Sequence, residues 1–182
     1  ILVAEKDADE PIQLVGQPGR YEIDFRVEIQ NPSTEVLYNL TLVDDMVTAL
    51  GAFPSQWSNF VVTSVSSSNG FPVVAAPFIP DASVTNWYNA LPGTTVDLPG
   101  NTTEVLSFTV EFNSNGDVTD HENIVNVSGS NAIGNILETF STELITIEPF
   151  GRIGIAKQVS AAGVTNSETD PQGGLAAGNA GE

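Results

Sequence analysis

Tyr21-Glu22-Ile23-Asp24-Phe25-Arg26-Val27-Glu28-Ile29-Gln30 alternates apolar and polar side chains at every position. Successive side chains of an extended chain point to opposite faces, so this period of two puts Tyr21, Ile23, Phe25, Val27 and Ile29 on one buried face. Asn31-Pro32-Ser33 then ends the strand, because proline cannot donate to a ladder and asparagine tolerates tight turns. A second strand over 36–43 runs into the acidic pair Asp44-Asp45. Segments 60–67, 84–88, 105–112, 124–128 and 136–147 are rich in Val, Ile, Thr and aromatics and are bounded by Gly, Pro, Asn and Ser, which marks further strands. No segment carries a convincing helical period, although 47–53 allows one turn. Residues 69–80 hold three prolines and read as an edge segment or extended loop. Many antiparallel strands separated by turn residues predict an all-β sandwich.

The chain also contains two beginnings. Ile1-Leu2-Val3-Ala4-Glu5-Lys6 returns as Ile153-Gly154-Ile155-Ala156-Lys157-Gln158, and Gly16-Gln17-Pro18-Gly19 is matched by Gly178-Asn179-Ala180-Gly181. Self-similarity of this kind marks an array of modules. The expected organisation is a sandwich module over 1–149 and a connector over 150–182, which is either the start of the next repeat or a strand donated to a neighbour. Ile153, Ile155 and Val159, with Ile1 and Val3, are the expected contacts between modules. The small, polar, Gly-rich stretch 161–182 has no aromatic residue and cannot build a core alone.

Composition narrows the partners. Twenty-three acids against five bases give a net charge of −18, so clustered Lys and Arg for phosphate neutralisation are lacking and nucleic acid is excluded. An anionic membrane would repel the chain, and no apolar run reaches the length of a spanning helix. The hydrophobic content of 41% argues against global disorder, and the absence of cysteine excludes disulfides and thiolate metal sites.

Catalysis is hard to assemble from these residues. His121 is the only histidine and reads as a solvated loop residue, and Asp44 and Asp45 are adjacent, so they point to opposite faces of a strand. The expectation is a non-enzymatic protein. Ca²⁺ is the one cofactor whose chemistry fits, since it takes six to eight hard oxygens. The candidate ligands are Asp7, Asp9 and Glu10; Asp44 and Asp45; and Asp117, Asp120 and Glu122 with Asn113 and Asn115. None of these sets has EF-hand or nonapeptide spacing, which favours solvated loop acids. Asn39, Asn101 and Asn126 head glycosylation sequons. Lys6 and Asn126 have the residue types of an intramolecular isopeptide bond, but the second copy aligns Lys157 with Glu5, which moves the side chain to the other strand face. Trp57, Trp87 and Tyr88 could form a sugar platform, although tryptophan in a sandwich is more often core.

Four stretches carry a family resemblance: FRVEIQNPSTEVLYNLTLVDDM at 25–46, ALPGTTVDLPGNTTEVLSFTVEF at 90–112, ENIVNVSGSN at 122–131 and IGIAKQVS at 153–160. In this order they resemble the prokaryotic tandem surface-repeat domain of unknown function, number eleven. Pro32 stands where that family usually has glycine, and the segment 55–80 is longer than usual. The resemblance implies an immunoglobulin-like antiparallel β-sandwich strung in tandem on secreted or cell-surface proteins, and it carries no catalytic residues. The expected function is a structural repeat or subunit of an extracellular assembly, such as a filament or adhesin stalk, whose partners are copies of itself head to tail. The alternative is an adhesive module that binds surface glycans.

Overall fold

The computed structural model describes residues 1–44, 46–51, 57–80, 85–88 and 95–147. Compactness divides the chain into Ile1–Glu148 and Pro149–Glu182. The second unit, with the expected contacts Ile153, Ile155 and Val159, lies outside the described residues.

Among the described residues, nine strands and one short helix follow in order: β1 (Val3–Ala8), β2 (Ile12–Gln13), β3 (Arg20–Asn31), β4 (Tyr38–Asp44), α1 (Met46–Gly51), β5 (Ser58–Ser67), β6 (Thr85–Asn86), β7 (Thr102–Asn113), β8 (His121–Ser130) and β9 (Ile136–Ile145). All pairings are antiparallel. One sheet has the order β1-β3-β7-β5 with β2 also on β3; the other has the order β6-β4-β8-β9. This is the ABED and CFG arrangement of an immunoglobulin-like sandwich, with β6 added beside the C-position strand β4.

The alternating stretch forms β3, which lies in the middle of its sheet. Its apolar set Tyr21, Ile23, Phe25, Val27 and Ile29 is buried, as the period of two requires. Opposite it on β7, Leu106, Phe108, Val110 and Phe112 face the same interior, and the ladder sets Phe25 across from Phe108. These rings stack at 5.0 Å, and Phe108 stacks on Trp87 at 4.2 Å. The second sheet supplies Leu40 and Leu42 from β4 and Val125 and Val127 from β8.

The Asn31 turn shows how side chains replace a ladder that has ended. Asn31 is buried; its Nδ2 donates to the carbonyls of Glu35, Leu98 and Pro99, and its Oδ1 accepts from Ser33. The turn around Gly100 packs so tightly here that a Cβ would overlap the Thr34 carbonyl, which requires glycine at that position. The proline-bearing segment 69–80 packs against both sheets rather than running free. Phe78 exchanges backbone bonds with Val62 of β5, Val74 N donates to Trp87 O at 3.0 Å, and the Phe71 and Phe78 rings meet Tyr88 and Trp87 edge-on.

Candidate functional site

The chemistry of this molecule concentrates in its interior. β1 is an edge strand, paired with β3 from Val3↔Gln30 to Ala8↔Phe25. Ile1 and Val3 reach solvent, whereas Leu2 and Lys6 are buried. A strand face that begins with leucine therefore carries a lysine into the core. Lys6 Nζ lies 2.6 Å from Asp44 Oδ2, and both side chains are 0% exposed. The ammonium sits 4.8 Å from the centre of the Phe25 ring. Asp44 ends β4 on the same face as Leu40 and Leu42. From β8, the fully buried Asn123 donates its Nδ2 to the same Asp44 oxygen at 3.4 Å. Asn123 Oδ1 is buried with no hydrogen-bond partner among the described residues. Burial pushes the Lys6 amine down from its usual range, opposed by the nearby Asp44 and Glu143 carboxylates. Glu143, on β9, is itself pushed up by burial and then by the charge of Asp7.

Lys6, Asp44 and Asn123 thus meet between the two sheets, with Lys6 in one and Asp44 and Asn123 in the other. Asn126, the sequence candidate for a lysine partner, points outward instead. The register explains the exchange. On β8, Val125 and Val127 face inward, so Asn123 shares their parity and Asn126 does not.

The calcium candidates are dispersed. Among the described residues, no three acidic or histidine side chains gather as a cation site would need. Asp44 is taken by Lys6, and Asp45 lies outside the described residues. Asp7 and Asp9 border a shallow depression with Asp24 and Arg26, while Glu10 lines a neighbouring one with Glu143. Glu122 is exposed, and Asp120 accepts a bond from Thr146 Oγ1 at 2.6 Å.

His121 is not the solvated loop residue expected from its surroundings. It is 9% exposed, lies 2.8 Å through Nε2 from Asp117 Oδ2, and meets the Trp57 ring edge-on at 4.4 Å. Asp117 Oδ1 accepts from the Thr119 backbone and hydroxyl. Burial raises the Asp117 carboxyl, but the bonds from Thr119 and His121 outweigh it and hold it below its ordinary value of 3.8. A carboxylate with a depressed folded value stabilises fully above its unfolded value and loses that contribution as pH falls through the folded one. Urea midpoints are therefore expected to fall below pH 3.8 by a component that Asp117→Asn removes; identical acid limbs for the two proteins would contradict it.

The aromatic candidates are core residues. Trp57, Trp87 and Tyr88 are 2%, 1% and 1% exposed, which removes the sugar platform. Trp57 stacks on Phe112 at 4.4 Å. The Tyr88 hydroxyl is pushed far up by burial and then by Glu104. Asn39, Asn101 and Asn126 all present their side chains to solvent. On the outward face of β8 and β9, Ile124, Ile136, Phe140 and Leu144 are exposed.

No protein-family model and no curated protein matches the chain. Among solved structures, the structural-genomics target SoR45 aligns over 88% of this chain and 93% of its own, at 14% identity and a TM-score of 0.42. A variant of BcpA, the major pilin subunit of Bacillus cereus, aligns over 82% of this chain and 40% of its own, at 13% identity and a TM-score of 0.44. CfaE, the adhesive subunit of the CFA/I fimbria of enterotoxigenic Escherichia coli, aligns over 75% and 44%, at 9% identity and a TM-score of 0.34. This chain therefore spans less than half of the pilin and of the adhesin. Among the described residues no helix is long and apolar enough to cross a membrane.

Proposed function

We propose that this chain is a non-enzymatic structural module of an extracellular or cell-surface assembly in which copies follow one another head to tail. One recurrence supports this most. Residues 3–8 form β1, paired with β3 over six positions, and the sequence pattern of that opening strand returns at Ile153-Gly154-Ile155-Ala156-Lys157-Gln158, shortly after β9 leaves the sandwich. A first-strand pattern placed just after a last strand is what a tandem array produces.

Covalent continuation is favoured over strand donation by the occupancy of β3. The place beside it that such a strand would take is already held by the chain's own residues 3–8. In the array, Ile153, Ile155 and Val159 would belong to the first strand of the following module, with Ile1 and Val3 in the corresponding place of this one. The net charge of −18 would keep such a protein soluble and repel its neighbours sideways.

Removing residues 150–182 tests the arrangement. We expect both the full chain and the truncated one to sediment as monomers, with the same thermal midpoint. Polymers formed by the full chain and lost on truncation would overturn covalent continuation and establish strand exchange.

A further inference from the structure

We infer that Lys6 and Asn123 become joined by an amide bond, formed within the folded module with Asp44 as the proton carrier. The inference does not depend on the tandem reading above; it stands on the geometry of the buried trio. Lys6 Nζ and Asn123 Nδ2 contact one and the same oxygen, Asp44 Oδ2, at 2.6 and 3.4 Å. All three side chains are buried, and the aromatic column of Phe25, Phe108 and Trp87 begins beside the amine. Holding nucleophile, carboxyl acceptor and proton carrier together in a site shielded from water replaces a bimolecular encounter with an intramolecular one.

The steps balance without any co-reactant. Lys6 passes a proton to Asp44, leaving a neutral amine; burial, which lowers the basicity of Lys6, favours that form. The amine nitrogen attacks Asn123 Cγ, so the new Nζ–Cγ bond forms as the carbonyl π electrons move onto Oδ1. A proton relayed from the attacking nitrogen through Asp44 reaches Nδ2, the Cγ–Nδ2 bond breaks, and ammonia leaves with that electron pair. Asp44 finishes as a neutral carboxylic acid. Two buried charges are exchanged for none, which removes the cost of keeping ions in a low-dielectric interior. The product also accounts for the orphaned Asn123 Oδ1, because the protonated Asp44 can donate to it. An ordinary buried ion pair leaves that oxygen unexplained.

Neither the calcium sets nor the outward face of β9 offers a comparable convergence of groups. Intact mass measurement of the purified 182-residue chain decides the matter. We expect a protein lighter than its sequence by one ammonia, and a branched tryptic product linking the peptide that contains Lys6 to the peptide that contains Asn123. Asp44→Asn, Asn123→Ala and Lys6→Arg should each restore the full sequence mass, with native circular dichroism showing which variants remain folded. A wild-type protein of full sequence mass, recovered folded and after prolonged incubation, would overturn the bond. Loss of ammonia mapped to any other asparagine would overturn it equally.

Discussion

Asp44→Ala is expected to lower the stability of the module by about 3–5 kcal/mol through the charge it strands, in addition to the crosslink it prevents, measured by urea denaturation. A domain of this size is stable by about 5–15 kcal/mol in total, so the variant should lose a large part of its margin. The reason is asymmetry. With Asp44 gone, the Lys6 ammonium remains in a site where its side chain is 0% exposed, with only the Phe25 face and a more distant Glu143 to receive it. A loss below about 1 kcal/mol would mean that Lys6 swings out to solvent and that no amide bond supports the wild type, because exposed ion pairs are worth no more than that.

A companion variant separates charge from crosslink. Lys6→Met combined with Asp44→Leu and Asn123→Leu removes all three polar groups together, and replacing a buried ion pair by apolar residues is often neutral or stabilising. If the trio were only an ion pair, this variant should match the wild type. With the amide bond in place it should fall short, because a crosslink closing a loop on the order of 100 residues restrains the unfolded chain by about 4–5 kcal/mol in the chain-entropy model.

Phe108→Ala is the second large effect, at about 3–5 kcal/mol. Phe108 is 1% exposed and lies between Phe25 on the neighbouring strand and Trp87 beyond the sheet. Its removal leaves a cavity that two rigid rings cannot collapse to fill. Phe140→Ala provides the contrast: Phe140 is 68% exposed on the edge strand β9, and its truncation should change stability by no more than about 0.5 kcal/mol. Tryptophan fluorescence during urea unfolding reads both, since Trp57 and Trp87 are buried. A larger loss for Phe140 than for Phe108 would show that the buried and exposed positions have been assigned the wrong way round.

Much of this fold follows from parity. The alternation at 21–30 defines a strand with one buried face, and β3 has that face. The strands expected at 60–67, 105–112 and 136–147 also form, with ends displaced by a few residues, because edge pairing and turns rather than composition set where a ladder stops. Two members of the buried trio could be read the same way. Asp44 continues the parity of Leu40 and Leu42, and Asn123 that of Val125 and Val127.

Lys6 could not be found by that route. In Ile1-Leu2-Val3-Ala4-Glu5-Lys6 both faces look apolar, and the β-branched residues favour the wrong one. Only the pairing of β1 with β3 turns Leu2 and Lys6 inward. His121 and Trp57 sit among turn residues whose local polarity suggests solvent, and their burial comes from each other and from Phe112.

Lys6 stands near the start of the described module and Asn123 near its end, and this has a mechanical consequence. Lys6 N also donates to Ser141 Oγ of β9 at 2.9 Å, so the strand where the chain enters touches the strand where it leaves. In a tandem array with the proposed Lys6–Asn123 bond formed, tension arriving at Ile1 would pass at Lys6 directly into Asn123 and out along β8 and β9. The intervening chain, which holds β3, β4, β5 and β7, would be bypassed. Those strands would serve as the mould that brings two side chains together and would carry none of the pull.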